Sequence, residues 1–180
     1  WVVAYEPLSG KEIWRFRHGE GFSNVPRPVF GTGLLYICTG YMQPNLVAIR
    51  PDGKGDVTDT HTVWRFKKSV PAMPSPVLVD DGVYFVSDQG VATCLDALTG
   101  EQRWQRRIEG NFSASLLFAD GKIFASNREG ATKIIAPGRD YTEIGTGTLD
   151  GAIMASPVAI PGALFLRTPT HLYRIGAGNK

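Results

Sequence analysis

The chain has 180 residues, of which 43% are hydrophobic and 20% charged, and its formal net charge is +2. This balance argues against a dedicated nucleic-acid-binding protein, which would show a basic stripe. No apolar run of about 18 residues occurs, so the sequence predicts no membrane-spanning segment. The 21 glycines and 12 prolines are spread along the chain, as in a protein built from short strands and turns.

Five groups of β-strands are predicted in chain order. The first, 1–17, holds two strands that match the second half of a four-stranded unit. Complete units of four strands are predicted over 25–67, 74–108 and 113–148, and three strands over 155–176. The total is 17 strands. Most are apolar on both faces, which is typical of strands packed between two neighbouring sheets rather than exposed on one side.

A turn motif joins the last two strands of the third group. Asp96 can accept hydrogen bonds from the turn backbone and from Thr99, and Gly100 supplies the positive φ that such turns need. Trp104 lies ten positions after the small residue Cys94.

Two further copies of this motif carry the same residue types, and a third is worn. They are formed by Ala4, Gly10 and Trp14, by Ala48 and Trp64 with a longer insertion, and in a worn form by Ile134 and Ile144. The pairing of each indole with a small residue favours a structural role over a ligand-stacking ladder. We therefore predict that each indole docks onto a neighbouring unit.

The copies repeat about every 40 residues. Trp64 to Trp104 is 40 positions, and so is Trp104 to Ile144. Self-similarity at this period, with only strand and turn chemistry, is the signature of an all-β propeller with four-stranded antiparallel blades. Both ends of the chain offer a third strand, so they compete for one position. We therefore expect about four blades of a larger propeller with 7–8 blades (roughly the upper end for such folds). A closed four-bladed ring is the alternative if the first strand frays.

The motif over 94–104 resembles the tryptophan-docking motif of quinoprotein-type (PQQ-like) β-propellers, Ala-x-Asp-x-x-Thr-Gly-x-x-x-Trp, with Cys94 in place of alanine. That family includes quinone-dependent alcohol dehydrogenases and the non-enzymatic, BamB-like propeller of the outer-membrane-protein assembly machine. The segment 48–58 resembles a variant common in uncharacterised bacterial extracytoplasmic members. The resemblance covers essentially the whole chain and implies a periplasmic or otherwise extracytoplasmic location.

Candidate binding residues lie on the loops that surround the channel mouth of a propeller. These loops join the second strand to the third and the fourth strand to the next blade. The candidates are Asn24, Asp88, Gln89, Asn111, Asn127, Arg128 and Asp150. They offer mixed hydrogen-bonding groups without a dominant charge, and the alternative for each is a plain turn residue.

No metal site is predicted. The loop 52–61 collects three carboxylates and one histidine but lacks the spacing of an EF-hand, so we expect a solvated hairpin loop. Cys38 and Cys94 lie in apolar strands and are expected to be buried free thiols.

The sequence favours a non-enzymatic scaffold that binds a protein or peptide partner without a cofactor. Surface complementarity, or strand addition at an exposed edge, would supply the binding. The resemblance also implies a second candidate, a PQQ-dependent alcohol or sugar dehydrogenase that holds pyrroloquinoline quinone and Ca²⁺ over the channel. Such enzymes often carry adjacent cysteines, whereas Cys38 and Cys94 are 56 positions apart. A ligand- or glycan-sensing domain is the third candidate.

Overall fold

The computed structural model describes residues 1–19 and 22–176. Over these residues the protein consists of strands, turns and irregular segments, without helices. No helix capable of crossing a membrane is therefore present in the described part of the chain. The all-β prediction is confirmed.

Residues 1–19 and 22–176 form eighteen strands, most of them three to seven residues long. Their bounds are β1 (Val2–Tyr5), β2 (Glu12–Phe16), β3 (Val29–Gly31), β4 (Leu34–Thr39), β5 (Asn45–Ile49), β6 (Gly55–Asp56), β7 (Thr62–Phe66), β8 (Val77–Val79), β9 (Gly82–Val86), β10 (Val91–Asp96), β11 (Gln102–Arg107), β12 (Leu117–Ala119), β13 (Lys122–Ser126), β14 (Ala131–Ala136), β15 (Thr142–Thr148), β16 (Val158–Ile160), β17 (Ala163–Arg167) and β18 (Leu172–Ile175).

The strands form five sheets. Their strand orders are β1-β2-β6 (sheet 1), β3-β4-β5-β7 (sheet 2), β8-β9-β10-β11 (sheet 3), β12-β13-β14-β15 (sheet 4) and β16-β17-β18 (sheet 5). The first strands of sheets 2 to 5 lie side by side, so each of these sheets runs outward from a common centre like the blade of a propeller. The predicted propeller architecture is thus confirmed as an arc of blades.

The loop 52–61 differs from its prediction as a solvated hairpin. Gly55 and Asp56 form an eighteenth strand, β6, which pairs in parallel with the outer edge of β2. Val57 follows and is fully buried with Trp14 and Phe16. The physical reason is that the insertion carries one apolar side chain among polar ones, and burying it on sheet 1 folds the whole loop back.

The register of sheet 4 also corrects the predicted pairing of Ile134 with Ile144. Ile134 pairs with Gly145, whereas the equivalent small residue Cys94 pairs with Trp104. Ile144 instead lies in the bulge of β15 and is half exposed. The turn after β14 is one residue longer than the turn after β10, and a fixed spacing of ten positions cannot detect such an insertion. Sheet 4 therefore carries no docking indole.

Each indole docks onto the turn of the next sheet through a hydrogen bond to a backbone carbonyl. The donor and acceptor pairs are Trp14 Nε1 to Pro51 O at 2.9 Å, Trp64 Nε1 to Ala97 O at 2.9 Å and Trp104 Nε1 to Gly138 O at 3.2 Å. All three indoles are buried. Burying about 200 Å² of indole contributes about 5 kcal/mol as an upper bound.

Two tyrosines donate to the same carbonyls as the indoles. Tyr36 OH donates to Ala97 O at 3.1 Å, and Tyr84 OH donates to Gly138 O at 3.3 Å. Each tyrosine ring also lies against the neighbouring indole, with centroid distances of 5.8 and 5.9 Å. Phe124 stands at the equivalent position of sheet 4 and has no hydroxyl. The paired donors therefore tie sheet 2 to sheet 3 and sheet 3 to sheet 4.

Serine hydroxyls connect the sheets near the centre of the arc. Arg27 N donates to Ser75 Oγ at 2.9 Å, Ser75 N to Ser115 Oγ at 3.0 Å and Ser115 N to Ser156 Oγ at 3.0 Å. The three acceptor serines are 40 and 41 positions apart, and each lies just before the first strand of sheet 3, 4 or 5. Together with the outer indole contacts, they hold sheets 2, 3 and 4 at two radii, whereas sheet 1 has only the indole contact and sheet 5 only the serine contact.

The two ends of the arc keep exposed apolar residues. Leu8 of sheet 1 is 98% exposed and Leu172 of sheet 5 is 72% exposed. No strand of sheet 1 pairs with sheet 5 within residues 1–19 and 22–176, so the closed four-bladed ring is not what these residues form. Cys38 and Cys94 are free and buried, as predicted, and burial raises the pKa of the Cys94 thiol to about 11.

An arginine missed by the sequence analysis holds the turn of sheet 3. Arg103 donates to both oxygens of Asp81, at 2.8 and 2.6 Å, and to Asp96 Oδ2 at 2.8 Å. Asp96 Oδ1 meanwhile accepts from the backbone N–H groups of Leu98 and Thr99. The Arg103 hydrogen bonds hold the pKa of both carboxyls below their usual values.

We expect Gly100→Ala to destabilise the protein more than Gly10→Ala. Both glycines have positive φ, +75° and +67°, which costs an alanine about 1–2 kcal/mol. Only at Gly100 would the new Cβ also lie 2.6 Å from Trp64 Cδ2, and such overpacking adds about 1–3 kcal/mol. Urea denaturation of the two variants measures the difference. Equal losses of unfolding free energy would contradict indole docking on this turn.

We expect Arg103→Met to lower stability at pH 7 and to weaken the dependence of stability on acid pH. The folded-state pKa values of Asp81 and Asp96 lie below their unfolded values. Their contribution is therefore complete above the unfolded value of about 3.9 and disappears as the pH falls through the folded values. Denaturation curves between pH 7 and acid pH should converge for the two proteins. Parallel curves would show that the pairing contributes nothing.

Candidate functional site

A groove of about 590 Å³ crosses sheets 2, 3 and 4 at the end formed by the loops between second and third strands. Its lining residues are Tyr41, Met42, Pro44, Lys67, Ser69, Val70, Ala72, Met73, Asp88, Gln89, Asn111 and Arg128. Four residues predicted at the channel mouth, Asp88, Gln89, Asn111 and Arg128, thus come together in one depression. This groove is the candidate site.

One wall is the long turn between β4 and β5. Tyr41 N donates to Phe22 O at 2.8 Å, and the two rings pack edge to face at 5.8 Å. Met42 has a φ of +82° and is 74% exposed. A non-glycine residue in this region costs about 1–2 kcal/mol, so the turn holds an apolar side chain toward solvent in a strained conformation.

Asp88 lies in the floor of the groove. Its Oδ2 accepts a hydrogen bond from Ala72 N at 2.7 Å, which fixes the loop between sheets 2 and 3. Its Oδ1 is buried and has no hydrogen-bond partner among the described residues. A buried carboxylate oxygen of this kind favours a ligand that brings a donor.

The opposite wall carries Arg128. Its Nε donates to Ser113 Oγ at 3.1 Å, and its Nη2 lies 3.7 Å from Met73 Sδ. Within the described part of the chain, neither Arg128 nor Lys67 forms an ion pair. The groove therefore combines two cations, one half-buried carboxylate and exposed methionine and tyrosine side chains.

Asn111 has a structural role at the groove margin. Its backbone N and Nδ2 donate to the two carboxylate oxygens of Glu129, each at 3.0 Å, and these bonds lower the pKa of Glu129. Its carbonyl accepts from Arg128 N at 2.8 Å. Asn111 thereby positions Arg128 in the groove.

The remaining predicted residues lie outside the groove. Asn127 is buried, and its Oδ1 accepts from Glu129 N and Ala131 N to close the turn before β14. Asn24 bonds Gly40 N and His18 Nε2 and thus anchors the loop before sheet 2. Asp150 is exposed and does not line the groove. The sequence analysis missed Tyr41, Met42 and Met73, although an apolar insertion in a turn was a signal for the first two.

A family of known proteins matches most of the chain. The family is described as outer membrane protein assembly factor BamB, and the match spans residues 1–148. The chain belongs to this BamB-like propeller family. A curated relative, the outer membrane protein assembly factor BamB of Burkholderia pseudomallei (strain K96243), is 33% identical over 95 residues, which are 52% of this chain and 24% of the relative.

Solved structures show the same fold as this BamB-like chain. BamB from Moraxella catarrhalis matches with a TM-score of 0.71 and 16% identity, covering 96% of this chain and 51% of that one. The quinohemoprotein alcohol dehydrogenase ADHIIG from Pseudomonas putida HK5 matches with a TM-score of 0.67 and 11% identity, covering 86% of this chain and 29% of that one. The computationally designed Ika8 protein matches with a TM-score of 0.73 and 9% identity, covering 95% of this chain and 51% of that one. The BamB-like chain thus spans about half the length of these relatives or less.

The described residues of this BamB-like chain contain no cluster of ionisable metal ligands. Over 1–19 and 22–176, no three His, Cys, Asp or Glu side chains converge as ligands for a metal ion. In the loop 52–61, Asp52 faces His61 at 3.5 Å, and Asp56 accepts from Thr58. Cys38 and Cys94 are buried in separate sheets and cannot pair against a cofactor.

Proposed function

We propose that this BamB-like chain is a non-enzymatic binding and scaffold propeller that holds a protein partner in the groove across sheets 2 to 4. The observation that carries the proposal is the wall at Tyr41 and Met42, which presents apolar side chains to solvent in a strained turn. Strain of this kind persists at binding sites because the surrounding fold supports it.

The chemistry of the groove suits a polypeptide better than a small reactive substrate. Methionine and tyrosine adapt to varied partner surfaces, and arginine is enriched at the energetic centres of interfaces. Arg128 and Lys67 are unpaired in the described structure, and Asp88 Oδ1 lacks a donor. A partner that brings carboxylates and one donor would satisfy all three.

The partner that we propose is a component of the outer-membrane-protein assembly machinery, in the periplasm or another extracytoplasmic space. The named relatives support this choice, because the family and the curated relative are both described as outer membrane protein assembly factors. The mechanism is surface complementarity against a rigid frame, without chemistry on the bound protein.

Photo-cross-linking tests the groove directly. We expect p-benzoylphenylalanine in place of Met42 to cross-link a protein of the outer-membrane assembly machinery when the chain is exported into a Gram-negative envelope. The matched control places the same group at Leu8, which is 98% exposed in sheet 1, away from the groove. Adding Arg128→Glu should abolish the product, because it reverses a central charge. Equal products from both positions, or none from position 42, would overturn the proposal.

A dye-reduction assay tests the enzymatic alternative. We expect the protein, supplied with pyrroloquinoline quinone and Ca²⁺, not to reduce an artificial electron acceptor with alcohols or aldose sugars. The reason is that no three His, Cys, Asp or Glu side chains converge as metal ligands in residues 1–19 and 22–176. Substrate-dependent dye reduction above the level of quinone alone would show that the protein is an enzyme.

A further inference from the structure

The outer edge of sheet 4 differs from the other outer edges. β15 is the longest strand, seven residues from Thr142 to Thr148, and its side chains are exposed or only partly buried. Glu143 is its one charged residue, and Lys133 pairs with it at 2.8 Å. By contrast, β7 contains Arg65, and β11 contains three arginines. Cationic side chains are a common protection of strand edges, and β15 has none.

The hydrogen-bond alternation shows which backbone groups of β15 face outward. Leu149 N donates to Gly130 O at 2.9 Å, so positions 149, 147 and 145 direct their backbone groups toward β14. Thr146 and Thr148 therefore direct their N–H and C=O groups to the free edge. No strand pairs with that edge in the described part of the chain.

In sheet 1, the equivalent outer edge already binds an added strand. Trp14 pairs with Ala4 as Gly145 pairs with Ile134, so Arg15 is the equivalent of Thr146. At this edge β6 lies parallel to β2. Two positions along this edge are bound. Val57 N donates to Arg15 O of β2, and Arg17 N, one residue after β2, donates to the side-chain oxygen Thr58 Oγ1, each at 2.9 Å. Arg17 is the equivalent of Thr148.

We propose that the outer edge of β15 is a strand-addition site for an extended segment of another polypeptide. Its backbone would bond Thr146 and Thr148 in parallel orientation, as β6 pairs with β2 and as the next two residues, Val57 and Thr58, bond Arg15 and Arg17. Glycines at 145 and 147 keep side chains off the sheet faces next to this edge, and a Cβ at Gly147 would meet no atom within 4 Å. The segment that fits carries small or β-branched, uncharged side chains.

The β6 precedent favours a partner segment over a second copy of the chain. Two copies related by a two-fold axis can pair β15 with itself only in antiparallel orientation, whereas β6 adds in parallel and comes from a loop. This site lies on the outer rim and does not depend on the groove. A groove variant such as Arg128→Glu should leave it unchanged, so failure of one proposal does not imply failure of the other.

Fluorescence anisotropy with a Lys-flanked, fluorescein-labelled heptapeptide of alternating Thr and Val tests the site. We expect binding that is lost when alternate peptide amides are N-methylated. Thr146→Pro removes an outward N–H without breaking a bond to β14 and should weaken binding about tenfold, because one backbone hydrogen bond contributes about that much. Thr146→Val is the matched control and should bind normally.

A second variant tests the site independently, in case the Thr146→Pro protein does not fold. Thr146→Lys with Thr148→Lys keeps every backbone group and should weaken binding of the Lys-flanked peptide by charge repulsion. Indole fluorescence verifies that both variants are folded. A peptide affinity that is unchanged by these substitutions, or no binding by the unmodified protein, would overturn the proposal. A dimer abolished by Thr146→Pro would assign the edge to a second copy and overturn the partner segment.

Discussion

The structure depends on one repeated interaction, in which a buried indole donates its N–H to a turn carbonyl of the next sheet. At Ala97 and Gly138 a tyrosine hydroxyl donates to the same oxygen. A carbonyl has two lone pairs, so both donors are satisfied out of water by one acceptor. The contact therefore buries two large rings without leaving a polar atom unpaired, and it orients neighbouring sheets precisely enough to repeat.

Because the indoles and the serine hydroxyls fix sheets 2 to 4 at two radii, the loops at the channel end need not stabilise the fold by themselves. The turn at 41–44 can then keep Met42 in a left-handed conformation and exposed. A rigid frame that carries strained, apolar loops is a common arrangement of binding proteins. The same frame leaves the outer strands as independent edges, which are protected to different degrees. The edge of β2 is covered by β6 and β11 carries arginines, whereas β15 has neither a covering strand nor a cationic residue.

Much of the fold could be predicted from residue types and their period. The small residue before each turn, the glycine within it and the indole after it imply paired strands and a repeat of about 40 residues. The candidate site was predicted only in part. Asp88, Gln89, Asn111 and Arg128 line the groove, whereas Asn127 turns inward because both of its amide ends find backbone partners. Met73 gave no signal, since it reaches the groove only through the path of its loop.

Residue types and their spacing were sufficient to predict an all-β propeller, because strands apolar on both faces, turn chemistry and indole spacing are local or periodic properties. The details that depend on insertions follow only from the packing of the folded chain. One extra residue moved Gly145, rather than Ile144, opposite Ile134, and the loop 52–61 became a covering strand through the burial of Val57. Register and loop docking are set by which distant surface buries an apolar side chain, and a linear spacing does not contain that information.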